Sequence, residues 1–250
     1  DQNQRWPTFY DLSGSVALEP WKDHRLAVQF LHASDQTSGL SAGEYSTSLI
    51  GIHSTSTISS FLMIHSSLSL SRQYEDLTRT ASFVMNDAVN WSRDSARIVL
   101  AEAKVHADAK ISDTYSLAAG VRLQRCDYDG IRNESLFIDG NHQFLMVSLN
   151  RSVIKTGVYA ENILQLTQDL LVNAGLRGDA SSLTREVKLA PRLLASYQAG
   201  ERTFLKAAWG LYYQTPTYSQ LLAASQAGTQ PQRMQQAIHY LIGVERTLEK

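Results

Sequence analysis

The sequence predicts an all-β protein: an antiparallel up-and-down transmembrane β-barrel of about eleven strands, with residues 1–250 forming one partial barrel domain. Three observations carry that expectation. Apolar and polar residues alternate over runs of about ten residues, the length and period of a strand with one face in hydrocarbon and the other in water. Tight turns and longer polar loops follow each other in strict alternation, the rhythm of a meander with a turn side and a loop side. No apolar run of about 18 residues occurs, so no helix can span a bilayer, while alternating strands remain free to do so.

Each element follows from the pattern. In residues 11–18, Leu12, Gly14, Val16 and Leu18 alternate with Ser13, Ser15 and Ala17, and a short turn containing Pro20 leads to a strand over 25–34. A loop rich in Gly, Ser and Thr is expected over 35–44, then strands over 45–52 and 58–71 joined by a Ser/Thr turn at 53–56. Residues 72–97 read mostly as one long loop, because a separate strand over 81–91 would move the later short turns to the wrong side. A clear strand follows over 98–108, with Val99, Ala101, Ala103, Val105 and Ala107 opposed to Glu102, Lys104, His106 and Asp108.

The next strand covers 115–124, and a polar loop holding Asp127, Asp129, Gly130, Asp139 and Gly140 extends through residues 144–152. Strands over 155–165 and 170–179 meet at a turn at 167–169. The hairpin around 198–201 leads into Thr203, Leu205, Ala207, Trp209, Leu211 and Tyr213 on one face, with Pro216 ending the run. Residues 215–236 read as a loop. In the last segment Met234, Ala237, Ile238, Leu241 and Ile242 have helical spacing, whereas Ile238, Tyr240, Ile242 and Val244 alternate. A strand is expected, since the meander must return from the preceding loop.

Composition narrows the function. A formal charge of -1 with no basic cluster argues against a nucleic-acid partner. The lone Cys126 excludes an internal disulfide framework and any cysteine-based zinc site. Gly39, Leu40, Ser41, Ala42 and Gly43 form a G-x-S-x-G string, but a nucleophile elbow needs a strand before it and a helix after it, and strand and loop flank it here. The seven histidines show no metal-ligand spacing, and His106 shares its face with Glu102 and Lys104 as part of a solvated wall. Cys126 to Gly130 offers a D-x-D-G turn without the remaining ligands of a calcium loop. No metal or cofactor is therefore expected. Lumen-facing polar residues offer the passage for a solute: Arg122, Arg177, Arg192 and Lys206, with Glu102 and Lys104. Among the clustered aromatics, Trp209 and Tyr213 suit an interfacial girdle, and Tyr212 and Tyr218 suit ligand contact.

The strings GVYAENILQLTQDLLVNAGLRGD and LAPRLLASYQAGERTFLKAAWGLYYQTPTYSQL resemble the mid-to-late barrel of TonB-dependent outer-membrane receptors. The matching positions, in order, are Gly157 and Tyr159, Gly175 to Arg177 with Asp179, Pro191 and Arg192 with Tyr197, and Gly210 with Pro216 and Leu221. The earlier strings PTFYDLSGSVALEP and HRLAVQFLHASD are similar to the first barrel strands after the plug. The resemblance implies an outer-membrane location in a Gram-negative bacterium. It also implies energised uptake of a scarce solute such as a ferric siderophore, a cobalamin or an oligosaccharide, through a barrel of about 22 strands. Its partners would be outer-membrane lipid, a small solute and, through a plug domain, a TonB-type energy transducer. No plug is recognised within the chain, so it is expected to be a fragment, or to close as a smaller barrel, or to pair with a second copy. The rival classes are a small outer-membrane barrel enzyme or adhesin, and a soluble β-sandwich.

Overall fold

A computed structural model describes residues 7–38, 41–82, 89–138, 141–229 and 233–247. Eleven strands form a single sheet in chain order: β1 Thr8–Trp21, β2 His24–Thr37, β3 Ser41–Ser59, β4 Leu62–Ser82, β5 Val89–Lys110, β6 Tyr115–Ile138, β7 Asn141–Gln165, β8 Leu170–Ser181, β9 Glu186–Gly200, β10 Thr203–Gln214 and β11 Gln235–Arg246. Every strand pairs antiparallel with the next, and the sheet is open, with β1 and β11 at its edges. A helix, α1 Tyr218–Gln226, lies between β10 and β11.

Alternation gives the sheet two unlike faces. On one, Val16 stands opposite Val28, Ile52, Leu68, Ala103 and Leu123 in successive strands. Farther along the sheet, Ala174 faces Leu193, Trp209 and Tyr240 in the same way. These side chains are solvent-exposed in the isolated sheet, Leu68 to 61 % and Tyr240 to 77 %. A continuous exposed apolar band of this kind is stable only against lipid. The opposite face carries Glu102, Lys104, Arg122, Lys155, Arg177 and Arg192, each one residue away from an apolar-face position.

Turns of two to four residues close β1 to β2, β3 to β4, β5 to β6, β7 to β8 and β9 to β10, all on one side. In the first of them Asp23 adopts φ 65, a left-handed conformation that a short polar side chain tolerates. The eleven strands, the open sheet and the strand assignment of the last segment agree with the sequence pattern. Several boundaries do not. Residues 72–82 and 89–97 are not a loop but extensions of β4 and β5, and 144–152 lies within β7. Asp127, Asp129 and Gly130 lie within β6, and Asp139 and Gly140 fall outside the described residues. Residues 53–56 lie inside β3, whose turn is at 60–61, and Pro20 lies inside β1. The loop expected over 35–44 is mostly strand, since β2 reaches Thr37 and β3 begins at Ser41.

The cause is the same in most of these cases. A bilayer needs about 10 residues per strand, whereas β5, β6 and β7 have 22, 24 and 25. Beyond the hydrocarbon nothing selects for an apolar face, so the alternation vanishes while the backbone ladder continues. The buried core is correspondingly not between two sheets. It lies on the polar face toward the loop side, where Leu221 and Leu222 of α1 pack on Cys126, Tyr128, Val147, Leu149 and Val153.

The two faces differ in what they tolerate. In the complete barrel reconstituted in bilayers, Leu68→Arg, near the middle of the apolar band, should cost ~2–4 kcal/mol of unfolding free energy, and Ser69→Arg on the polar face markedly less. Equal costs in a urea titration would contradict the assignment of faces.

Candidate functional site

The polar face is organised in layers from the turn side to the loop side. Nearest the turns, the Tyr159 hydroxyl lies 2.7 Å from Nδ1 of His106, whose Nε2 lies 2.8 Å from Asp108. In the next layer Arg122 donates to Glu102 at 2.8 Å, and Gln124 donates to the same carboxylate oxygen. On β8, Arg177 and Asp179 are two residues apart on one face and form an ion pair with N···O 2.7 Å. Gly157 makes room for that pair: a Cβ there would stand 2.7 Å from Arg177 Nη2 and 3.0 Å from Asp179 Oδ1.

These residues surround a cleft of about 190 Å³, lined by Arg122, Gln124, Lys155, Arg177 and Asp179 and roofed by Tyr213, Thr215 and Met234. The cations outnumber the acids. Arg122 and Arg177 each have one carboxylate partner, and Lys155 has none among the described residues. Tyr213 corrects the girdle reading, because the β9–β10 ladder ends at Gly210 opposite Arg192 and the freed end of β10 brings Tyr213 to the cleft, beside Lys188. Trp209 remains on the apolar face next to Leu193 and Tyr240.

The other predicted residues fall into separate groups. The Arg192 guanidinium lies 4.7 Å from the ring centre of Tyr212, and Tyr212 packs on His239. Nε of Arg192 is buried without a hydrogen-bond partner among the described residues. Lys206 pairs with Glu245 across β10 and β11. Gly210 is close to Arg192 and Tyr212, and Gly175 to Glu161. Pro191 stands opposite Leu176 and Tyr197 opposite Leu205, both on the apolar face. A cavity of about 410 Å³ is a furrow on that apolar face between Leu68, Leu70 and Leu123, so it faces lipid and not a solute.

Sequence reasoning missed α1. Thr217 caps the helix, accepting from the Gln220 backbone, while the Gln220 side chain accepts from the Thr217 N–H in return. That T-x-x-Q box, after the fully buried Pro216, was the available signal. The helix folds onto the polar face. Tyr218 stacks on Tyr128, with ring centres 5.9 Å apart, and crosses Gly130 so closely that a Cβ there would meet its hydroxyl oxygen at 1.9 Å. Gln226 donates to Glu134 at 2.7 Å, and the Met234 N–H donates to Glu186 at 2.8 Å, which ties down both ends of the segment. Beneath the helix, Arg132 holds the buried Asp94 through two hydrogen bonds, one of 2.8 Å. Burial, and then the negative charge of Asp94, push the Tyr218 phenol above its ordinary pKa.

Nothing in this geometry supports a serine nucleophile. Gly39 and Leu40 lie outside the described residues, and Ser41 opens strand β3, not a turn into a helix. Comparison with known proteins agrees. The family model of the TonB dependent receptor-like β-barrel matches residues 3–245. No curated protein matches the sequence. Among solved structures, the copper transporter OprC superposes with a TM-score of 0.74 at 12 % identity, over 98 % of this chain and 44 % of that one. The ferric enterobactin receptor PfeA of Pseudomonas aeruginosa gives 0.72 at 13 % identity, over 97 % and 41 %. The ferric-catecholate import receptor Fiu of E. coli K12 gives 0.69 at 11 %, over 96 % and 49 %. The chain thus spans less than half the length of these relatives.

Two outcomes follow for α1. Gly130→Val should drive Tyr218 off Tyr128 and expose residues 215–229 to protease, with a local shift of β5, whose Ser95 carbonyl oxygen a Cβ there would meet at 2.8 Å; unchanged protection would contradict the packing. The phenol pKa is raised in the folded state, so its contribution is complete below the ordinary tyrosine value of about 10 and is lost as pH rises through the folded value. Protease sensitivity of the segment should therefore increase above about pH 10, and Tyr218→Phe should remove that step.

Proposed function

The chain belongs to the TonB-dependent receptor-like β-barrel family, and on that premise we propose that it forms one wall of the solute passage in an uptake receptor for an anionic metal chelate of the ferric-siderophore class. Members of this family are transporters of the Gram-negative outer membrane, not enzymes. The observation that carries the choice of solute is the cation excess of the polar cleft, above all Lys155, which has no carboxylate partner among the described residues. An anionic chelate supplies the missing negative charge, and charge-assisted hydrogen bonds contribute about 1.5–3 kcal/mol each. A neutral oligosaccharide leaves the same ammonium unpaired. Several proteins of similar structure, receptors or transporters for ferric enterobactin, ferric catecholates and ferric citrate, favour the same chemistry.

The rest of the receptor follows from membrane physics. In hydrocarbon every backbone N–H and C=O needs a partner, so β1 and β11 would each pair with further strands of the barrel. Energised release would run through a plug domain seated against the polar face and linked to a TonB-type transducer. Residues 215–229 would then cover the loop-side mouth, and Tyr212 with Arg192 would offer an aromatic and cationic contact along the wall.

In the full-length receptor, Lys155→Gln should weaken binding of a ferric catecholate by roughly tenfold or more, while Lys206→Gln, whose charge is already matched by Glu245, should change it little. Unchanged affinity in Lys155→Gln, or equal affinity for a neutral oligosaccharide, would reject the anionic reading.

A further inference from the structure

We propose that His65, His106 and Asp108 form a binding site for a borderline transition-metal ion, of the Zn²⁺ or Cu²⁺ kind, at the turn-side end of the polar face. The three positions are neighbours by register. His65 stands directly opposite His106 in the β4–β5 ladder, and Asp108 follows His106 by two residues on the same face. Both imidazoles direct Nε2 at one atom, Asp108 Oδ2, from 3.5 Å for His65 and 2.8 Å for His106. Their rings stack, with centres 5.9 Å apart and planes at 26°.

What distinguishes this cluster from a chance pair of histidines is how the remaining ring nitrogens are held. His106 Nδ1 lies 2.7 Å from the Tyr159 hydroxyl, whose ring also stacks on the imidazole. His65 Nδ1 lies 3.1 Å from Thr55 Oγ1. Metal-binding histidines characteristically have the second nitrogen fixed by such an outer partner, which sets both tautomer and ring orientation. Both outer partners are hydroxyls, able to accept a hydrogen bond as well as donate one. Each ring can therefore carry its proton on Nδ1 and present the Nε2 lone pair to an ion, with no net release of protons from a neutral imidazole.

Among the described residues no group of three such donors is placed to hold a metal ion as it stands, and this one needs Asp108 to move. Here the reason is that Asp108 itself occupies the meeting point of the two rings. Its side chain is 49 % exposed and can swing aside to coordinate by one oxygen, so that the ion replaces the Nε2–H···O contacts. Two imidazoles and one carboxylate leave positions for water, and this donor set selects zinc or copper over the all-oxygen preference of calcium or magnesium. The site is separate from the cation-rich cleft and does not depend on the solute assigned to it.

The test uses the full-length receptor, purified free of metal and titrated with Cu²⁺ and, separately, Zn²⁺. Cu²⁺ should bind with one equivalent whose electron paramagnetic resonance spectrum shows splitting from two nitrogens. His65→Gln and His106→Gln should each lower the affinity at least tenfold. Tyr159→Phe, which leaves every ligand in place, should still lower it by roughly tenfold through the outer partner. His53→Asn, on the same face but bonded to Gln29, should leave it unchanged. A spectrum without nitrogen splitting, or wild-type affinity in either His65→Gln or His106→Gln, would overturn the site.

Discussion

The constraint on which the rest depends is the backbone hydrogen bond in a medium without water. Each unmatched N–H or C=O in hydrocarbon costs several kcal/mol, and the response here is an unbroken ladder from β1 to β11 in which each strand pairs only with its sequence neighbours. Sequential pairing puts the connections alternately on the two sides of the sheet, and alternation of side chains then gives every strand one apolar and one polar face. The ladder also continues above the band that lipid requires. Once β5, β6 and β7 are paired, extending them adds bonds at no cost in unmatched edges, which is why they reach 22, 24 and 25 residues.

That origin determines what was legible in the sequence. Inside the apolar band two-residue periodicity is imposed by lipid on one side and water on the other. Leu12 to Leu18, Val99 to Ala107 and Leu205 to Leu211 therefore announced their strands, and the count of eleven followed. Residues 72–82 and 144–152 belong to the same ladders but stand where both faces meet water or the folded segment above, so their side chains carry no such period. Glycine and aspartate in 127–130 read as turn formers, yet Gly130 lies mid-strand because Tyr218 passes over it. A contact made by residues about ninety positions apart leaves no local trace. The polar wall was legible by alternation alone, and Arg122, Arg177, Arg192 and Lys206 all stand on it. The gathering of Arg122, Lys155 and Arg177 around one cleft was not, since it depends on the register of three strands.

Helix α1 reverses the usual placement of a hydrophobic core. The sheet has no second layer, and its apolar face is turned to lipid, so the close-packed apolar cluster forms where a returning connection folds onto the polar face. Leu222 and Val153, each 1 % exposed, are at its centre. The segment is held by unlike means on its two sides, apolar packing beneath Leu221 and Leu222 and hydrogen bonds from Gln226 and Met234 to Glu134 and Glu186. Apolar packing is indifferent to ionic strength, whereas the part-buried hydrogen bonds to carboxylates have a charged acceptor that salt screens in part. The helix is thus anchored at its apolar centre and more easily released at its ends.

The two faces also explain how a fold persists at 10–13 % identity with similar receptors. Lipid asks only that the outer positions be apolar and of moderate size, so Val16, Ile52, Leu68 and Leu123 are interchangeable with other hydrophobic residues at little cost. The inner positions are not interchangeable. Arg177 with Asp179 needs the missing side chain of Gly157, Tyr159 sits against His106, and Tyr218 needs Gly130. Similarity to other barrels therefore transmits the outer face and the ladder, while the proposed choice of solute rests on the inner residues of this chain. The cation excess around Lys155 is for that reason a stronger basis for the proposed solute class than likeness to any receptor of similar fold.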